Sequence, residues 1–180
     1  MPPRKTPASP LAPAAPIAPA EYAALPVDSP ERKRLPLLMR RAWYGLNQAF
    51  RRSIVHAGAT PDQYTVLRTL HETPRQGITQ SELTHAISSD PNTVGALVER
   101  MENNGWLERR PHETDRRANR ILLRTAGRRK FTELRDIAAH LQLRILSALP
   151  EERREEFLMQ LADVADKCHA EAQAAAQKKK

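Results

Sequence analysis

Eight arginines and one lysine are crowded between positions 109 and 130: Arg109, Arg110, Arg116, Arg117, Arg120, Arg124, Arg128, Arg129 and Lys130. A guanidinium stays charged at any physiological pH and its planar fork matches phosphate oxygens, so this composition fits contact with a polyanion. The alternative is a solvated basic face. Just upstream, Asn92, Thr93, Gly95, Ala96, Glu99 and Arg100 offer a polar set without large apolar groups, suited to lying against base edges. Catalytic constellations are missing: there is no G-x-S-x-G, no G-x-x-x-x-G-K-[ST], no H-E-x-x-H and no C-x-x-C, and His71-Glu72 lacks a second histidine at zincin spacing. We therefore expect no enzyme activity and no cofactor. A single cysteine, Cys168, excludes an intramolecular disulfide and a thiolate zinc cluster. The six histidines are scattered without helical ligand spacing, so no metal site is expected.

The elements that must position these residues are well signalled. Thr79 and Glu82 form a T-x-x-E capping box, with Ile78 and Leu83 placed as a staple, and predict a helix over about Gln80 to Ile87. Asp90 as N-cap and Pro91 at the first helical position open a second helix, which Gly105 should end after Asn104. On it Val94, Leu97, Val98 and Met101 share one face, which leaves Asn92, Thr93, Gly95, Ala96, Glu99 and Arg100 facing outward. Two helices across a tight turn describe a helix-turn-helix or a plain helical hairpin. The residues that follow favour the former. Trp106 to Arg110 and Asn119 to Leu123 read as short strands around a polar turn from Pro111 to Ala118, which makes a wing.

The block Gly105-Trp106-Leu107-Glu108-Arg109-Arg110, then Asp115-Arg116-Arg117, then Leu123 and Gly127, resembles the recognition-helix end and D-x-R wing of MarR-type (multiple antibiotic resistance regulator) winged-helix transcription factors. The resemblance extends over about Leu35 to Cys168. It implies that the Asp90–Asn104 helix enters the major groove of duplex DNA while Arg117 enters the minor groove. It further implies a two-fold dimer with intertwined terminal helices, and release from DNA by a small, often aromatic and anionic, ligand held between those helices and the winged core. Two departures stand out. Arg124 follows Leu123 where the family commonly has threonine, so Thr125 is a candidate cap of the next helix; Gly95 stands where the family often has a hydroxyl.

Around that block, the 180-residue chain can bury one substantial core. Its net charge of +8 favours a polyanionic partner. A Pro-Ala repeat occupies Pro7 to Ala20, among 15 prolines in all, and residues 1–30 are expected to be disordered. Those prolines also interrupt any signal-peptide core, and no window is apolar enough to span a bilayer, so a soluble cytoplasmic protein is expected. Apolar residues at three- and four-residue steps from Leu35 to Ile54 predict a long first helix, broken at Gly58. Thr60, Pro61 and Gln63 open the next helix. Phe131 to Ala148 marks another long helix, and Pro150 should begin a last one carrying Phe157, Leu161 and Val164, with Cys168 as a buried thiol on its apolar stripe.

The expected architecture is thus mainly α with a small β-hairpin wing. A DNA-binding core over about 60–124 joins dimerisation helices over about 34–57 and 125–168, in a domain spanning 31–168 with a fraying tail at 169–180. The DNA-contacting set is Asn92, Thr93, Gly95, Ala96, Glu99 and Arg100 on the recognition helix, with Arg109, Arg110, Arg116, Arg117 and Arg120 on and beside the wing. Trp43, Tyr44, Asn47 and Arg51 could offer a ligand ring, amide and guanidinium contacts. The expected function is a homodimeric, sequence-specific transcription regulator, a repressor released from a pseudo-palindromic operator by a small-molecule effector. A non-specific architectural DNA-binding protein and a winged-helix protein-interaction module are the alternatives.

Overall fold

A computed structural model describes residues 19–26, 29, 30, 32–115 and 117–177. The chain divides into two compact units, residues 1–44 and 45–180. In the first, a short helix α1 (Pro19–Ala24) precedes the opening half of α2 (Leu35–Ile54). Proline at the first position of α1 gives up no hydrogen bond, and the alanines that follow favour a helix. Helix α1 lies inside the segment expected to be disordered; the Pro-Ala repeat before Pro19 lies outside the described residues.

The second unit holds the core. Helix α2 ends in a 3₁₀ turn (Val55–Ala57) at Gly58, and α3 (Pro61–Glu72) begins at once. The Thr60 N–H donates to Gln63 Oε1 at 2.9 Å and Gln63 N–H donates back to Thr60 Oγ1 at 3.2 Å, which closes the capping box. There follow β1 (Ile78–Thr79), α4 (Gln80–Ala86), α5 (Pro91–Asn103), β2 (Leu107–Pro111), β3 (Asn119–Leu123), α6 (Thr125–Leu146), a 3₁₀ turn (Glu151–Arg153) and α7 (Arg154–Gln177). The three strands form one antiparallel sheet in the order β1-β3-β2, with Ile78 opposite Ile121 and Leu107 opposite Leu123.

Ile54, Val66, Leu67, Leu83, Val94, Val98, Met101, Leu107, Ile121 and Leu134 are fully buried and join helices and sheet in one core. Each contributes roughly 1.5–3 kcal/mol by leaving water. Rings brace the seam between α3 and α6: Tyr64 stacks on Phe131 at 6.1 Å and His71 on the same ring at 4.2 Å.

Several local expectations are corrected. Ile78 and Thr79 do double duty, as a third strand and as the entry to α4, a long-range pairing that local patterning does not reveal. Arg124, extended and donating its N–H to the Trp106 carbonyl at 2.9 Å, is the N-cap of α6, so Thr125 is the first helical residue and caps nothing. Pro150 precedes a 3₁₀ turn instead of starting a helix. Cys168 is exposed, because α7 beyond Val164 turns no further residue into the core. Helix α7 also continues to Gln177, through most of the tail expected to fray.

Candidate nucleic-acid interface

Helices α4 and α5 meet across a turn in which Ser88 takes a positive φ of 50°. Asp90 starts α5 by accepting the Thr93 N–H at 2.9 Å. Hydrogen bonds from the Thr93 side chain and backbone hold the Asp90 carboxyl below its ordinary range, so it remains a negative charge at the positive end of the helix. At the other end Gly105, with φ 72°, donates to the Glu102 carbonyl at 2.8 Å while Trp106 donates to the Met101 carbonyl at 3.0 Å. This double bond pattern around a left-handed glycine is a Schellman stop. It turns the chain directly into β2.

The four apolar residues of α5 are buried, and Asn92, Thr93, Ala96, Glu99 and Arg100 are exposed on the opposite side. Gly95 departs from the expected outward set. It is half-buried against α4, and a Cβ there would lie 3.3 Å from Gln80 Nε2, so the glycine admits the close approach of the two helices.

The wing tip is pinned by its own side chains. His112 Nδ1 accepts the N–H groups of Thr114 at 3.3 Å and Asp115 at 3.2 Å; Asp115 Oδ1 in turn accepts the Arg117 N–H at 2.9 Å. The aspartate of the D-x-R pattern therefore shapes the turn that presents Arg117. That arginine is exposed, and its guanidinium has no partner among the described residues. Arg116 lies outside the described residues.

The remaining wing cations are engaged within the fold. Arg109 Nη1 pairs with Glu102 at 2.6 Å and its N–H donates to the same carboxylate at 3.3 Å, tying β2 to α5. Arg120, whose side chain is 19% exposed, pairs with Glu113 at 2.8 Å and donates to the Gly77 carbonyl at 3.2 Å. These contacts engage the Arg109 and Arg120 guanidinium groups within the fold. Arg110 pairs with Glu108, which also meets Arg124 at 3.4 Å, yet both arginines remain exposed. Lys130 lies 5.8 Å over the Trp106 ring and donates to the Ala57 carbonyl at 2.9 Å, so it braces the core. Arg128 and Arg129 are exposed at the start of α6.

Between wing and helix-turn-helix lies an open hollow of about 430 Å³, whose polar lining is Thr79, Gln80, Ser81, Arg109, Asp115, Arg117 and Asn119. Arg117, beside hydroxyl and amide groups, suits a phosphate oxygen there, while Arg109 is already paired with Glu102. Sequence patterning missed Thr79, Gln80 and Ser81 here, because only the pairing of Thr79 with Arg120 across β1 and β3 brings the start of α4 to the wing. The proposed ligand residues Trp43, Tyr44, Asn47 and Arg51 all fall on α2; the two rings are exposed at 64% and 60%.

A three-helix core with an adjoining three-stranded sheet and a pinned hairpin tip defines a winged helix-turn-helix. Residues 59–118, a third of the chain, match the family model described as MarR family. It is 29% identical over 83 residues to the HTH-type transcriptional regulator BilQ of Clostridium symbiosum (strain WAL-14163), a match covering 46% of this chain and 58% of that relative. The chain thus spans little more than half the length of that curated relative. Among solved structures, the MepR–DNA complex of S. aureus superposes with a TM-score of 0.69 at 21% identity, covering 76% of this chain and 99% of that one. CouR from Rhodococcus jostii RHA1 bound to p-coumaroyl-CoA gives 0.65 at 20% identity, over 74% and 92%. No helix among the described residues is long and apolar enough to cross a membrane.

Proposed function

We propose that this protein is a homodimeric, sequence-specific DNA-binding transcription regulator, a repressor that leaves its operator when a small ligand binds. The observation that carries the reading is the combination of an exposed polar face on α5 with an exposed Arg117, whose guanidinium has no partner among the described residues, on a wing tip held by Asp115. In this reading α5 lies in the major groove. Asn92, Thr93, Ala96, Glu99 and Arg100 face base edges, where an amide pairs with adenine, a guanidinium with guanine and a carboxylate with the cytosine amine. Arg117 enters the flanking minor groove, whose width and negative potential an arginine senses. Arg110, Arg116, Arg128 and Arg129 meet phosphates, while Arg109 and Arg120 hold the wing in place.

Self-association is supported by large apolar side chains left exposed on α2 (Leu35, Leu37, Leu38, Met39, Leu46), α6 (Leu143, Ile145) and α7 (Phe157, Met159). These are the helices assigned to dimerisation, over about 34–57 and 125–168. A two-fold dimer would present two α5 helices about 34 Å apart, one turn of duplex, to a pseudo-palindromic site. The structural neighbours include one protein bound to DNA and one bound to an aromatic acyl-CoA, which supports an operator and a small, aromatic effector for this chain. Trp43, Tyr44, Asn47 and Arg51 are the proposed effector contacts. The effector acts only through better binding to a dimer whose recognition helices misfit the operator; a coupling of about 1–3 kcal/mol weakens DNA binding roughly 5- to 150-fold.

Selection of duplexes from a random pool at physiological salt tests the proposal. Enrichment of a pseudo-palindrome with half-sites one turn apart is expected, and Asn92 or Thr93 substitutions should alter the preferred half-site. Binding without enrichment would leave a non-specific architectural protein; no binding would refute the DNA-contacting role.

A further inference from the structure

Outside the winged site, the fold brings together two histidines that are 84 residues apart in the chain. His85, in the last turn of α4, and His169, on α7, place their Nε2 atoms 3.4 Å apart, with rings 5.1 Å between centroids and nearly perpendicular at 89°. Two imidazole nitrogens on one tetrahedral zinc ion, each about 2.0–2.1 Å from the metal, lie about 3.3–3.4 Å from each other. The observed spacing already has that value. The side-chain amide of Gln173, one turn further along α7, lies 2.8 Å from His169 Nε2. Its nitrogen and oxygen can exchange places by a half-turn, which offers a neutral oxygen donor at the same point. Both rings border an open hollow of about 380 Å³ lined otherwise by Ser81, Thr84, Ser88 and Ser89, with room for water ligands and no charged group in its lining.

We propose that His85 and His169 chelate a late first-row divalent cation of the zinc class, with Gln173 and water completing the shell. Imidazole ligands favour this class over magnesium or calcium, which prefer oxygen. The metal ties the end of α7 to α4, the helix that precedes the recognition helix. That tie matters because residues 165–175 of α7 are otherwise exposed. The site stands apart from the DNA-binding reading and is tested without DNA.

The test is titration of the full-length protein with Co²⁺, followed by tetrahedral Co²⁺ absorption, and then competition by Zn²⁺ near neutral pH. One Co²⁺ per chain is expected. His85→Ala and His169→Ala should each weaken binding by more than about tenfold, since loss even of an outer-shell partner costs 10–100-fold. His140→Ala and Cys168→Ser should bind as the wild type does. Zn²⁺ should also slow amide exchange over residues 169–177 in the wild type and not in His85→Ala. Unchanged affinity in both histidine variants would overturn the proposal. So would loss of binding in Cys168→Ser, or metal-dependent joining of two chains in sedimentation.

Discussion

Replacing Arg117 with alanine isolates the charge that the wing presents to a partner. Arg117 is the wing-tip cation that no carboxylate of the described residues holds, so in the proposed complex with DNA its charge is available to displace counterions. One phosphate contact changes the slope of log K against log salt by about 0.9. If the release term vanishes near 1 M salt, the same contact is worth a factor of about 5 at roughly 0.15 M, and about 30 for the two wings of a dimer. Arg109→Ala is the matched comparison. Its guanidinium is already paired with Glu102 at 2.6 Å, so its loss should weaken binding by loosening β2 against α5 and leave the slope nearly unchanged. Fluorescence anisotropy of a labelled operator between about 50 and 300 mM salt measures both slopes. Equal slope changes in the two variants, or an unaltered slope in Arg117→Ala, would refute the division between presented and internally paired arginines.

Three further outcomes concern the scaffold. Gly127→Ala would put a Cβ 2.2 Å from the Trp106 carbonyl oxygen, which is fixed by the Arg124 N–H, so urea unfolding should show a loss of about 3 kcal/mol. Thr60→Ala removes the hydroxyl that caps α3 and should cost about 1 kcal/mol in the same assay, with Thr60→Ser restoring most of it. The Glu82 carboxyl is held below its ordinary range chiefly by the Thr79 N–H and then by the Thr79 hydroxyl. A carboxyl depressed on folding stabilises fully above the ordinary carboxylate range and loses that contribution as pH falls through its folded value. The stability difference between wild type and Glu82→Gln, followed by urea unfolding at successive pH values, should therefore shrink on acidification; a constant difference would contradict the cap assignment.

The parts of this fold legible in the sequence are those written over three or four residues. The capping boxes at Thr60 and Thr79, the Asp90-Pro91 start and the Gly105 stop each rest on local hydrogen bonds, and each lies where its motif placed it. Strand β1 was not legible, because two residues carry no periodicity and their partner lies over forty positions away. The same limit governs the arginines. Their types were plain in the sequence, but Glu102 and Glu113, which engage Arg109 and Arg120, are seven residues distant and become neighbours only through the hairpin and the turn before it. The pairing of His85 with His169 was hidden for the same reason, since spacing along one helix cannot report a contact between two.

These cross-links also restrict how a ligand could release DNA. Thr79 caps α4 and pairs with Arg120 in β3, Arg120 grips the Gly77 carbonyl and Glu113, and Glu102 joins α5 to β2. Moving the wing away from the recognition helix would break several of these contacts at once, whereas moving wing and helix together breaks none of them. The lower-cost motion is thus of the winged core as one body. In a dimer that motion changes the distance between two recognition helices without altering either surface. An effector working this way should weaken both half-sites equally and leave the preferred half-site sequence unchanged. Duplex selection repeated with a releasing ligand measures this: a shift in half-site preference would mean that the ligand deforms the core itself.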